Sequence, residues 1–309
     1  MDKKTERLVD VARMYYEQDR TQSEIADQYG ISRPMVSKLL KEARDKGIVT
    51  IRISAPQEES GGALSLMELV GRCFGIYDGV AVPDGPNDQT TNEAVAEAAI
   101  SYLSGLGGTG LGIGWGHIIG DVVKHMEQRE TLVPIGTFVC PLIGNGGVGL
   151  KNYHSNELVR SIAEHSGAQP SFIYSPACVL SEQELKLTRE LDSYHEIYHV
   201  WEKLDVALVN IGNFPSVPDF ASEARYGDQL IRQKAVGRIL NYFMDSQGHI
   251  IRSDTDYAIQ IPLELLSGTR HVVGICSANT SPKAFRGALK TGYLKHFIAP
   301  EHVVREALE

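Results

Sequence analysis

The sequence predicts an α/β protein with a small helical module at its front, and three observations carry that prediction. Residues 21–40 place caps, a small residue and a turn glycine at the offsets of a helix-turn-helix. From about residue 63 onward, short apolar runs alternate with stretches of helical periodicity, the pattern of a mostly parallel sheet covered by helices. The charge is also divided: residues 1–53 carry 11 Lys and Arg against 9 Asp and Glu, the remainder carries 19 against 30, and the chain as a whole has a net charge of −9. Only the front end suits phosphates, and its slight excess argues for paired, salt-sensitive contacts from an oligomer rather than indiscriminate binding.

Residues 5–18 set Leu8, Val9, Ala12, Tyr15 and Tyr16 on one helical face, supplying a third helix that buries the core of the hairpin. Thr21 and Glu24 form a capping box, Ile25 and Ala26 face inward, and Gly30 supplies the left-handed conformation of the turn. Ser32 is placed to cap the second helix, Pro34 fits its first turn, and Met35, Val36, Leu39 and Leu40 make a buried stripe. Arg33, Ser37, Lys38, Lys41 and Arg44 then face outward, as in a helix that enters a major groove, where Arg reads guanine edges and Ser or Lys holds phosphates. The candidate DNA contacts are Gln22, Ser32, Arg33, Pro34, Met35, Ser37, Lys38, Lys41 and Arg44. An ordinary helical hairpin with a solvated basic face is the plain alternative, but it gives no reason for Ala26, Gly30, Val36 and the caps to fall at these offsets.

After Gly47, the β-branched run Ile48–Ile53 reads as a short wing, so residues 1–54 form a winged or near-winged domain. Pro56, Glu58, Glu59 and the pair Gly61-Gly62 mark residues 55–62 as a linker, and residues 63–309 make the effector and oligomerisation domain. Leu64 to Phe74 is a strongly apolar helix that packs on this domain's core or forms part of a subunit interface. No apolar h-region opens the chain and no run reaches the roughly 18 apolar residues of a membrane span, so a cytoplasmic protein without membrane contact is expected. Cys73, Cys140, Cys178 and Cys276 sit singly in apolar surroundings without metal-type spacing. They read as reduced core residues, and neither a metal nor a cofactor is expected.

In the α/β part, strands are expected at Gly79–Pro83, Thr109–Ile113, Leu132–Ile143, Pro170–Tyr174, Asp205–Ile211 and His271–Ser277. Helices are expected from a capping box at Thr90 and Glu93 through Ser104, from His117 through Met126, over Asn156–His165, over Ser181–Leu191 and from near Lys283. Ligands in such sheets lie at the carboxyl ends of the strands, which directs attention to the loops there. Gly114-Trp115-Gly116-His117 is a glycine-rich turn into a helix, able to receive a phosphate but lacking the spacing of a dinucleotide fingerprint. Gly144, Asn145, Gly146 and Gly147, followed by Tyr153 and His154, permit close backbone approach by a polyhydroxy ligand; a flexible loop is the alternative. Gly212 and Asn213 reach towards the same crevice, as does the loop holding Ser277 and Asn279. Asp245 either binds ligand hydroxyls or caps its own turn. Lys283, a cation near a helix N-terminus, is poorly placed for the macrodipole and is the best candidate for a phosphate contact.

Taken together, the helix-turn-helix, Gly114-Trp115-Gly116, the run Leu204–Val209 ending in Ile211-Gly212, Ala235-Val236-Gly237 leading to Asp245 and Gly248, and Lys283 followed by Gly287-Ala288-Leu289 resemble the SorC family of bacterial sugar-responsive transcription regulators over nearly the whole chain. The resemblance implies a Rossmann-like, sugar-phosphate isomerase-like effector domain used for sensing, a tetramer, a double-stranded operator and a phosphorylated sugar or polyol as effector. The chain departs from the family pattern at Asn210, at Ser277-Ala278-Asn279 and at Ala299-Pro300-Glu301, which bears on the identity of the effector. Tyr153-His154 together with Ser277 resembles the branch concerned with sorbose or polyols.

Two other classes compete. An isomerase or deaminase-like enzyme with a DNA-binding appendage would need a carboxylate or histidine held against the substrate carbon with a second acid–base group. Asp245, His117 and His154 are the available nominees, and they form no combination that demands catalysis. A domain that only oligomerises would leave three glycine-rich loops at strand ends without a purpose.

Overall fold

In the computed structural model, residues 3–16, 18, 20–45, 48–49, 65–76, 78–147, 149–216 and 225–309 are described. The chain divides into two compact units, Met1–Ala63 and Leu64–Glu309.

The first unit contains α1 (Lys3–Tyr16), α2 (Gln22–Tyr29) and α3 (Arg33–Asp45). Thr21 caps α2 by accepting from the Glu24 backbone N–H at 3.3 Å, while the Glu24 carboxylate accepts from the Thr21 N–H at 2.8 Å. Gly30 ends α2 at φ 60°, a left-handed conformation that a side chain would strain. Val11, Ile25, Ala26, Val36 and Leu40 form one buried cluster, and Leu8, Ala12 and Ala43 form another. Burying side chains such as Ile25 and Leu40 stabilises the hairpin by about 1.5–3 kcal/mol each. One member of the expected stripe is misplaced: Met35 is 45 % exposed, because the inward positions one turn apart are Val36 and Leu40. The half-buried Ile48 and Val49 pack on the cluster around Leu8; the rest of the expected wing and the linker at 55–62 lie outside the described residues.

The second unit opens with α4 (Leu66–Phe74), capped by Ser65 and Glu68. Only Val70 and Gly71 of this helix are buried, and Cys73 is exposed, which corrects the reading of that cysteine as a core residue. Cys140 and Cys276 are buried, and burial pushes both thiols up; Cys178 is partly buried. The strands are β1 (Gly79–Val82), β2 (Gly110–Ile113), β3 (Phe138–Pro141), β4 (Gln169–Pro170), β5 (Val206–Asn213), β6 (Ala235–Ile239), β7 (Tyr242–Asp245), β8 (His271–Ile275) and β9 (His296–Pro300). Seven of them run parallel in the order β1-β9-β8-β5-β2-β3-β4. The long β5 continues past the sheet, where its end pairs antiparallel with β6, and β6 with β7. The segment Val236–Asp245 thus lies in a hairpin.

Helices α5 (Asp88–Leu106), α6 (His117–Glu127), α7 (Ser155–Ser166), α8 (Glu182–Glu190), α9 (Asp192–Trp201), α10 (Gln229–Arg232), α11 (Leu263–Gly268), α12 (Pro282–Lys290) and α13 (Glu301–Leu308) accompany the strands. The capping box of α5 is Asn87 with Thr90, three residues upstream of the expected pair. α9 has no counterpart in the sequence reading. It follows α8 after an extended Leu191 and buries Ile197 and Trp201, whose indole donates to the Pro141 carbonyl at 2.8 Å. The expected strands around β3 and β4 shrink because their flanking apolar residues, Val133, Ile135 and Ile173, fill the core from loops. Among the described residues, no helix is long and apolar enough to cross a membrane.

Candidate recognition helix and ligand crevice

On α3, Arg33, Pro34, Met35, Ser37, Lys38 and Lys41 are exposed, as is Ser32 immediately before the helix. Gln22, at the start of α2, is half-buried. A concavity of about 560 Å³ lies between the end of α1 and the start of α2, lined by Tyr15, Tyr16, Arg20, Gln22, Ser23 and Arg33. Two guanidiniums beside a helix N-terminus suit a backbone phosphate, whereas the outward side chains farther along α3 suit base edges. The side chain of Arg44 lies outside the described residues.

In the second unit, a crevice of about 530 Å³ lies at the carboxyl ends of the central strands β2, β5 and β8. Three connections build it. After β2, the chain turns through Gly114, whose N–H donates to the Leu208 carbonyl at 2.8 Å, into Gly116, the N-cap of α6. Gly116 has φ 117°, a conformation that favours glycine, and a Cβ there would press on the Asn210 amide at 3.1 Å. At the end of β5, Asn213 is a clamp: its Nδ2 donates to the Asn279 carbonyl at 2.9 Å and its Oδ1 accepts from the Ser281 N–H at 2.7 Å. After β8, the Ser277 hydroxyl donates to Asn279 Oδ1 at 2.7 Å, and the Ala278 N–H donates to Asn92 Oδ1 at 2.7 Å.

Of the expected effector contacts, Gly116, His117, Gly212, Asn213, Ser277 and Asn279 line this crevice. Others lie behind it. Trp115 is buried with its ring edge-on to Tyr153, at 5.7 Å between centroids. Gly114 is buried as well. Gly146 donates to the Tyr153 carbonyl at 2.8 Å, Asn145 accepts from the Asn156 N–H, and the Gly144 carbonyl accepts from Ser155, so this loop positions Tyr153 rather than meeting the crevice itself. Gly147 is exposed and His154 half-buried, neither on the lining. Asp245 is also off the lining, and its carboxylate accepts from the Gln247 and His249 N–H groups at 2.8 and 3.0 Å, holding a turn. Lys283 is exposed in the first turn of α12, following the loop that lines the crevice.

Tyr153, singled out beside the second glycine cluster, is on the lining too, together with residues that sequence reasoning did not nominate as contacts: Asn92, Asp121, Asn210 and Arg238. Arg238 is 5 % exposed, on β6, and its guanidinium lies 5.8 Å from the centre of the Phe243 ring. A charged residue inside the apolar run Val236–Leu240 was the available signal. Asn210 lines the crevice, and its Oδ1 is buried without a protein partner among the described residues. Burial pushes the Asp121 carboxyl above the usual carboxylate range, against the opposing pull of His125, Lys124 and His117. Burial likewise raises the Tyr153 phenol, moderated by Arg238. The crevice thus joins one buried cation and a helix N-terminus to amide, hydroxyl and carboxyl groups, a set able to hold an anion at one place and hydroxyls at others.

Comparison with known proteins agrees with this division. The family model described as "Putative sugar-binding domain" matches residues 59–309, and that of "Sigma-70, region 4" matches residues 5–46. The chain is 31 % identical over 300 residues to the sorbitol operon regulator of Klebsiella pneumoniae, covering 93 % of this chain and 92 % of that one. It is 27 % identical over 317 residues to the deoxyribonucleoside regulator of Bacillus subtilis, covering 99 % and 98 %. The crystal structure of the full-length Klebsiella sorbitol operon regulator, SorC, superposes with a TM-score of 0.71 over 100 % of both chains, at 27 % identity. These curated relatives are regulators, not enzymes. The chain is therefore a DNA-binding transcription regulator with a sugar-binding domain, a member of the SorC family.

Proposed function

We propose that this regulator controls carbohydrate or polyol catabolism genes and that a phosphorylated sugar or polyol, bound in the crevice at the ends of β2, β5 and β8, sets its affinity for a double-stranded operator. Arg238 carries this reading: a guanidinium 5 % exposed beside a crevice is a counter-charge for an anionic group. Asn92, Asn210 and Asp121 receive the hydroxyls, with Lys283 an outer contact at the mouth. The sorbitol and deoxyribonucleoside regulators among the relatives support a small polyhydroxy effector.

Subunits pair so that the α3 helices meet half-sites spaced by turns of DNA, in a homo-oligomer that the family resemblance makes a tetramer. The effector changes operator affinity only insofar as it binds one arrangement of the subunits more tightly. A thermal-shift screen of sugar and polyol phosphates tests the assignment. At least one is expected to raise the melting temperature of the wild type, and Arg238→Gln should weaken its binding about tenfold or more. Equal binding by both proteins would overturn the role of Arg238.

A further inference from the structure

The second unit contains another cavity, of about 750 Å³, that shares no lining residue with the effector crevice. It is walled by α9, the end of α8, β7 and the segment 250–264. Its walls are of two kinds. Tyr194 and Tyr198 stand one turn apart on α9 with ring centres 6.3 Å apart, and Tyr242 adds a third ring. Set among them are planar polar groups. Gln260 is only 6 % exposed, and its Oε1 accepts from the Asn241 N–H at 2.9 Å, which fixes the amide. Its Nε2 donates to no protein group among the described residues, although the side chain lines the cavity. The Asp256 carboxylate is held by Arg225 Nε at 2.9 Å and the Tyr226 hydroxyl at 2.6 Å, and it too lines the cavity.

The charge of this lining differs from that of the crevice. Arg189 and Arg252 are exposed and are balanced by Asp254 and Glu264, while Asp256 is already paired with Arg225, so the lining has no buried, uncompensated cation to select an anion. An amide donor with no protein partner at a cavity wall is open to solvent and free to donate to a hydroxyl oxygen. Broad tyrosine faces receive the apolar faces of a polyhydroxy chain or ring, and the amide and carboxylate receive its hydroxyls. We propose that this cavity is a second ligand site, for a neutral polyhydroxy compound, an unphosphorylated sugar or polyol. Tyr194 and Tyr198 form its platform, with Gln260 Nε2 as donor and Asp256 as acceptor.

The proposal is independent of the effector crevice and is tested on the full chain. Calorimetric titration with a panel of unphosphorylated pentitols, hexitols and hexoses is run on the wild type, Gln260→Glu, Tyr198→Ala and Arg238→Gln. Gln260→Glu keeps the acceptor for the Asn241 N–H and, when ionised, removes the donor. A panel member is expected to bind the wild type, to bind about tenfold more weakly to Gln260→Glu and to Tyr198→Ala, and to bind Arg238→Gln unchanged. Binding by no member of the panel, full affinity in both cavity variants, or loss in Arg238→Gln would overturn the proposal. So would spermidine binding that the same two cavity variants abolish, because the cavity would then be a site for cations.

Discussion

The recognition helix and the ligand crevice are functional surfaces made by opposite means. In the first unit, the outward residues Arg33, Ser37, Lys38 and Lys41 lie within nine positions of one another on one helix, and the elements that aim them are local: the Thr21–Glu24 box and Gly30. In the second, the crevice draws Asn92, Asp121, Asn210, Arg238 and Ser277 from helices, strands and a loop far apart in the chain, brought together because β2, β5 and β8 are neighbours. A surface written locally fails locally, whereas one assembled by topology depends on clamps such as Asn213. Function in such a protein can therefore be divided by mutation.

The largest effect that sharpens this division is expected from replacing Arg33 and Lys38 together with Ala. If these two are DNA contacts as proposed, their loss costs about 1–3 kcal/mol or more, so operator affinity should fall roughly tenfold to a hundredfold in gel-shift titrations. Effector-induced stabilisation should be unchanged, and the salt dependence of binding should become shallower. Next comes a contrast between two cations. Arg238→Gln is expected to weaken effector binding about tenfold or more, and Lys283→Ala, at an exposed position off the lining, by less, as read by calorimetry. A larger loss from Lys283→Ala would move the anion site to the mouth of the crevice.

Smaller effects probe the scaffolding. Thr21→Ala removes one side of the α2 capping box and should destabilise the first unit by about 1 kcal/mol, seen as faster amide exchange in α2 and α3, with that of the second unit unaltered. The smallest effect concerns Asp121. Because burial raises its carboxyl in the fold, the ionised form is disfavoured there relative to the unfolded chain. The stabilising proton is present below the ordinary carboxylate range, and its benefit is lost as pH rises through the higher folded value. Asp121→Asn should raise the melting temperature at neutral pH and leave it unchanged near pH 3 or below, in roughly the range where model aspartates are protonated.

The same contrast explains what the sequence disclosed. The caps, the turn glycine and most of the inward stripe of the first unit follow from short-range rules, and only Met35 was assigned to the wrong face. The α/β alternation was also legible, as were the crevice positions Gly116, Gly212, Asn213, Ser277 and Asn279, although Gly212 and Asn213 stand on β5 rather than in the loop expected after it. What escaped was set by tertiary context. Whether a polar residue at a strand end faces the crevice or its own turn depends on neighbours distant in sequence, so local pattern leaves both roles open for Asp245 and gives none to Arg238. The helix Asp192–Trp201, rich in tyrosine and histidine, is held by burial of Ile197 and Trp201 against a sheet whose order no local pattern specifies.

The central claim is that an anion held at Arg238 is sensed by α3 on DNA. Its most direct test is operator binding, followed by fluorescence anisotropy, of the wild type and Arg238→Gln with and without the sugar phosphate that stabilises the wild type. The account predicts equal operator affinity for both proteins without ligand, a ligand-dependent change in the wild type, and little or no change in the variant at the same ligand concentration. An undiminished response in Arg238→Gln would contradict it.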